Sequence, residues 1–232
     1  ENICGLDSSP SNRRVSSVSL NEGWQLREAL KTRSFWMLLL MGSGMLCVNT
    51  GISTHIGAYY RDQGLTLAVS ASAISFGWLT AAIGSIAWGW LIDRLHARVV
   101  YSLVFILLGT MSLYVLGVDS PVEAYVEACF IGLVSSGSNL VISVIYADYF
   151  GRTSLGKIRS IGEIGVLIGQ AAGPLIAGLL FDVRGSYTSA FLLFSGIGFA
   201  CSMLVLIAVP PVRGTARPLT IEPASADQDV TA

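Results

Sequence analysis

Apolar residues in this chain gather into six long runs separated by short polar breaks: residues 34–60, 67–92, 99–118, 122–147, 158–181 and 187–209. Each run reaches the ~20 residues that an α-helix needs to cross the hydrocarbon of a bilayer. The pattern predicts an all-α membrane protein with a bundle of six spans. Pro210 and Pro211 end the last span, because proline cannot continue a helix. Three regions follow. Residues 1–33 are a polar, Ser/Asn/Arg-rich cytoplasmic linker, in which 21–31 can form a short interfacial helix with Trp24, Leu26, Ala29 and Leu30 against Arg27, Glu28 and Lys31. Residues 34–209 form the transmembrane bundle. Residues 210–232 are a polar cytoplasmic tail, expected to be disordered. The chain opens on Glu1 without a signal-peptide pattern, and it reads as the back half of something longer.

Composition sharpens this picture. Hydrophobic residues make up 53% and charged residues 12%, about half the ~25% charge of a soluble domain. Mean hydropathy is +0.65. The net charge of −1 excludes the clustered basic surface of a nucleic-acid binder. The placement of the basic residues matters more than their sum. Arg13, Arg14, Arg27, Lys31, Arg33, Arg94, Arg98, Arg152, Lys157, Arg159, Arg213 and Arg217 fall on one side of the spans, and Arg61 and Arg184 fall on the other. Basic loops stay inside, so both termini are expected in the cytoplasm and the protein in the plasma (inner) membrane. Cys47, Cys129 and Cys201 lie within apolar runs and Cys4 in the polar lead, with no Cys/His spacing that would hold a metal or a redox group. No cofactor and no metal are expected.

Polar residues inside spans mark function, since hydrocarbon penalises them unless they face a partner or water. The first span carries Asn49, Thr50, Ser53, Thr54 and His55, the fourth Ser135, Ser136, Ser138 and Asn139, and the fifth Glu163 and Gln170. Those three spans are expected to face a polar centre with the second beside them, and the third and sixth to serve as scaffold toward lipid. Candidate substrate-path residues are Asn49, His55, Trp78, Asn139, Glu163 and Gln170. His55 can change charge near neutral pH, or it can be a neutral histidine bonded to a neighbouring helix. Glu163 can line the path with Gln170, two turns away on one face, or can pair with Arg159 one turn earlier. Small residues recur every four positions in the second span (Gly77, Ala81, Ser85, Gly89) and the fifth (Gly165, Gly169, Gly173), a pattern that lets helices approach closely. Pro174 should loosen the fifth span and free a backbone carbonyl. A G-x-L-x-D match at Gly89–Asp93 and Gly178–Asp182 closes the second and fifth spans on opposite sides, which suggests two inverted three-helix units.

The turn Gly89-Trp90-Leu91-Ile92-Asp93-Arg94-Leu95-His96-Ala97-Arg98 resembles the signature loop of the major facilitator superfamily, roughly G-x-L-x-D-R-x-G-R-[KR]. Gly89, Leu91, Asp93 and Arg94 match and Arg98 is kept, while His96 stands where glycine is usual and Ala97 where a basic residue is usual. Arg33-Ser34-Phe35-Trp36, Asp148-Tyr149-Phe150-Gly151-Arg152 with Leu155-Gly156, and Gly173-Pro174 through Asp182 to Gly185-Ser186-Tyr187 and Phe191 resemble the monocarboxylate and oxalate/formate antiporter branch. The resemblance implies one half of a twelve-helix transporter with 3+3 inverted repeats, alternating access, and a cytoplasmic conformational latch at Gly89, Asp93, Arg94 and Arg98. It implies secondary transport, by symport or antiport, of a small organic anion. The partners implied are the lipid bilayer, a small-molecule solute, and a missing N-terminal half or a homo-oligomer, with no nucleic acid. One departure stands out. Relatives that carry carboxylates often place arginine four residues before the motif glycine, and here that position is Ser85. An enzyme is disfavoured because no intramembrane protease constellation is complete. The alternative function is a truncated six-helix protein that only binds a partner or itself.

Overall fold

A computed structural model describes residues 24–151 and 154–207. Six of its helices have the length and composition to cross a bilayer. A single turn, α1 (Leu26–Ala29), precedes them; the spans are α2 (Arg33–Asp62), α3 (Leu67–Arg94), α4 (Ala97–Tyr114, followed by a 3-10 turn at Val115–Gly117), α5 (Pro121–Phe150), α6 (Leu155–Arg184) and α7 (Thr188–Ile207). Most of the linker 1–33 and all of the tail 210–232 lie outside the described residues.

The spans run two to three residues past most of the apolar runs because polar residues at their ends cap them. Thr66 accepts from the Val69 amide at the start of α3. Ser120 and Glu123 form a reciprocal capping box at the start of α5, with Pro121 in the first turn. Gly185 ends α6 with φ +67°, a left-handed conformation that favours glycine. Of the amphipathic stretch 21–31, the described residues 24–31 form the four-residue α1, separate from α2. It is docked rather than free: the Trp24 amide donates to the Phe150 carbonyl at 3.1 Å, and the Trp24 and Phe150 rings meet edge to face.

The helices pack most closely as α2 with α6, α3 with α5 and α4 with α7; α4 with α5 and α2 with α7 come next. Exchanging the first three spans for the last three turns α2·α6 into α5·α3, turns α4·α5 into α7·α2 and leaves α4·α7 unchanged. Because α2 and α5 run in opposite directions, the two triplets are inverted copies. The G-x-L-x-D pair sits on α3 and α6, which this exchange relates.

Glycine sets the two closest seams. A side chain at Gly169 or Gly173 would run into the backbone of Ser43 or Cys47 on α2. At Gly132 it would run into the Gly77 carbonyl across the α3–α5 seam. The α6 stripe therefore packs as its spacing predicts. On α3 the seam is made by Gly77 and Gly84 with Ala73 and Trp88, whereas Gly89 faces open space. The seven-residue step from Gly77 to Gly84, rather than the four-residue stripe, follows the contact line. Phe35, Met41, Met45, Ile52, Phe105 and Phe194 fill the core between the seams.

Candidate functional site

Polar groups cross between α2 and α5 near mid-span. The buried Asn49 amide donates to the Ser135 hydroxyl at 2.8 Å, which gives each a partner away from lipid. Just outward lies a crevice of about 50 Å³, lined by Ser53, Ile56 and Tyr60 of α2, Ile74, Gly77 and Trp78 of α3, and Ala128, Ile131, Gly132 and Ser135 of α5. A cavity of that size holds a few water molecules. It exists because Gly77 and Gly132 bring the α3 and α5 backbones together without side chains to fill the gap.

At the outer end of the crevice the Tyr60 phenol meets two groups of α5. It lies 3.2 Å from the Ala124 carbonyl oxygen and in close contact with Oε2 of Glu127. Glu127 is fully buried, and its Oε1 and the Ser53 hydroxyl have no hydrogen-bond partner. The sequence reading passed over Glu127 and Tyr60. The available signal was a glutamate six residues inside α5, one turn beyond Glu123, with no basic residue one turn away on either side.

The named candidates spread around this centre rather than converging on it. Trp78 lines the crevice but is 61% exposed. His55 is a clip between helices: its Nε2 donates to the Pro174 carbonyl at 3.0 Å and its Nδ1 lies 3.2 Å from the Tyr187 hydroxyl, so both ring nitrogens are used and α2 is tied to α6 and to the start of α7. Pro174 frees the Gln170 carbonyl, and the Thr50 hydroxyl stands 2.9 Å from it. Asn139 is exposed and bonds back to the Ser135 carbonyl at 2.9 Å. Gln170 is exposed at the midpoint of α6. Glu163 is exposed and pairs with Arg159 at 3.8 Å. At the turn between α3 and α4, Asp93 and Arg94 are exposed, and the Arg94 guanidinium lies 4.1 Å from the centre of the Trp90 ring. Arg98 is half-buried. Ser85 bonds to its own helix at the Ala82 carbonyl and supplies no charge. Among the described residues no cluster of metal ligands occurs.

Two inverted triplets of membrane spans make one lobe of a secondary-transporter fold. The chain belongs to the major facilitator superfamily, whose family model matches residues 6–142. It is similar to the hexose-6-phosphate:phosphate antiporter of Escherichia coli K12, 23% identical over 96% of this chain and 50% of that protein. It is also similar to monocarboxylate transporter 12 of Rattus norvegicus, 32% identical over 63% of this chain and 30% of that protein. The gallate transporter of Pseudomonas putida is 24% identical over 75% of this chain and 38% of its own length. The chain thus spans about half the length, or less, of the curated relatives it matches. It is a multi-pass membrane protein of a transporter family, and neither the family nor these relatives point to an enzyme.

Proposed function

We propose that the chain is the second lobe of a secondary transporter that carries a small organic anion by alternating access, with the first lobe supplied by the missing N-terminal half. The observation that carries this reading is the position of two exposed amides. Gln170 sits at the midpoint of α6 and Asn139 about one turn from the midpoint of α5. Lipid at the bilayer centre would penalise both, so a water-lined path between two lobes is the surface they fit. Exposed apolar side chains on the symmetry-related α3 (Leu79, Ile83, Ile86) and α6 (Leu167, Leu175, Leu179) then cover the rims against the other lobe and lipid. Asn49, His55, Trp78 and Glu163 belong to the same path, as wall and clip rather than as one pocket.

The names of the relatives share one chemistry, a carboxylate or a phosphate. No lysine or arginine lies deep in any span of this chain, so the cation that meets the anion comes from the other lobe. In this reading both termini and the Asp93–Arg94 latch are cytoplasmic, residues 1–33 link the lobes, 210–232 form the tail, and the membrane is the plasma membrane.

Cysteines placed at Asn139 and Gln170 in the complete reading frame should react with a water-soluble maleimide, while one at Leu206, exposed on α7, should not. Equal silence at all three positions overturns the path. Uptake of gallate, a hexose 6-phosphate and acetate into proteoliposomes then sorts the substrate; failure of all three overturns the anion class.

A further inference from the structure

Glu127 presents a hydrogen-bonding problem that the transporter reading leaves unsolved. A carbonyl oxygen and an ionised carboxylate only accept, and a phenol has one hydrogen. Tyr60 touches both the Ala124 carbonyl and Glu127 Oε2. With Glu127 ionised, one of these contacts lacks a hydrogen. With a proton on Oε2 both are served: the carboxyl donates to the phenol oxygen and the phenol donates to Ala124. The orphan Oε1 is then a neutral carbonyl oxygen, cheaper to leave bare than half of a carboxylate. No basic side chain among the described residues pairs with Glu127. Arg61, which follows Tyr60 on α2, donates to the Gly57 carbonyl of its own helix at 3.3 Å.

We propose that Glu127, Tyr60 and the crevice beside Ser53 form a proton-binding site, loaded from water in the crevice. The step is an O–H exchange: hydronium gives a proton to the Glu127 carboxylate and leaves water, and unloading reverses it. Ser53 supplies the second element of the argument. Its hydroxyl is buried, unpartnered and part of the crevice wall, as a polar group awaiting a water molecule is. Tyr60 links the two, since its ring lines the crevice and its phenol holds the carboxyl.

The groups that face this site are few. Tyr59 and Tyr60 come from α2 and Cys129 from α5, with Asp119 in the turn before it. Glu123 is turned outward, accepting from the Asp119 and Ser120 amides. The buried face of α3 brings Ser70, Ala73 and Gly77, none of which titrates. On α4, Tyr114 packs on Phe130, and Tyr101 lies toward Tyr146. No neighbouring cation can replace the proton. Glu127 lies six residues from the start of α5, about 9 Å along the helix, at the end that the topology proposed above places outside.

Proton binding rests on the geometry alone; its use in coupling rests on the transporter reading. The two separate in one set of experiments on the full-length protein. Infrared difference spectra between alkaline and acid buffer should show a protonated-carboxyl band that is absent in Glu127→Gln and shifted in Glu127→Asp. Tyr60→Phe should shift the same band, which keeps the test open if Glu127→Gln does not fold. A difference spectrum unchanged in Glu127→Gln, or a band unmoved by Tyr60→Phe, overturns the site. In proteoliposomes, a gradient of one pH unit is worth up to about tenfold accumulation per proton. Gallate accumulation should follow that gradient in the wild type and not in Glu127→Gln, while exchange of gallate at equal pH persists. A gradient response retained in Glu127→Gln overturns the use of this site in coupling. If the band titrates as expected and the wild type ignores gallate, the substrate reading falls and the proton site stands.

Discussion

Glu127 and Glu163 lie at similar depths, each about two turns from the start of a 30-residue helix, in opposite surroundings. Glu127 faces α2 across the crevice region, fully buried, held by a phenol and without a cation. Glu163 faces out of α6, about half exposed, with Arg159 one turn away. Residue type and depth are shared, and what differs is whether another helix covers the face. The crevice region is therefore a place where each buried polar atom must find a partner or water. The start of α6 is a place where the charges stand on a face that the six spans leave uncovered.

The sharpest way to break this contrast is to fill the crevice seam. Gly132→Leu drives a side chain into the Gly77 carbonyl, and backbone cannot step aside as a side chain can. Overpacking of this kind costs about 1–3 kcal/mol or more, enough to abolish folded protein on a size-exclusion profile. Gly89→Leu near the end of α3 meets open space and should leave that profile unchanged. Equal behaviour of the two variants would mean that the α3–α5 seam opens freely.

A smaller effect is expected at Tyr60. Tyr60→Phe removes the partner of a fully buried carboxyl, a loss of about 1–3 kcal/mol in reversible unfolding from mixed micelles. Asn49→Ala should cost less, about 0.6 kcal/mol, the usual worth of an interhelical hydrogen bond in a membrane, since the remaining Ser135 hydroxyl can turn to its own helix. A larger loss at Asn49 than at Tyr60 would move the key contact of the region from the carboxyl to mid-span.

The sequence carried the spans, the inverted triplets and the glycine stripe of α6, because each rests on a repeat that the chain displays in one dimension. It carried Glu163 and Gln170 as polar groups on one face, and both are exposed there. It did not carry Glu127, because a glutamate near the end of a span reads as a boundary residue until Tyr60, 67 positions earlier, is seen against it. The α3 seam was missed for a related reason. Spacing shows where small residues recur but not which side of the helix its partner takes, and α5 took the side of Gly77 and Gly84. His55 had two readings in the sequence, and only the structure shows its ring held between Pro174 and Tyr187.

The smallest expected effect tests the exposed side of the contrast. Arg159 and Glu163 are one helical turn apart, 3.8 Å at their closest, with side chains 44% and 47% exposed. Water screens such a pair and both side chains lose freedom to make it, so exposed i,i+4 pairs contribute about 0.3–0.5 kcal/mol. A double-mutant cycle of Arg159→Gln and Glu163→Gln in the mixed micelles should return a coupling in that range, shrinking further in high salt. The same cycle repeated in lipid asks whether anything covers this face in the membrane. A coupling that stays small and salt-sensitive keeps Glu163 in water, and with it the difference from Glu127. A coupling of several kcal/mol would show the pair desolvated, and the two glutamates would then differ only in what buries them.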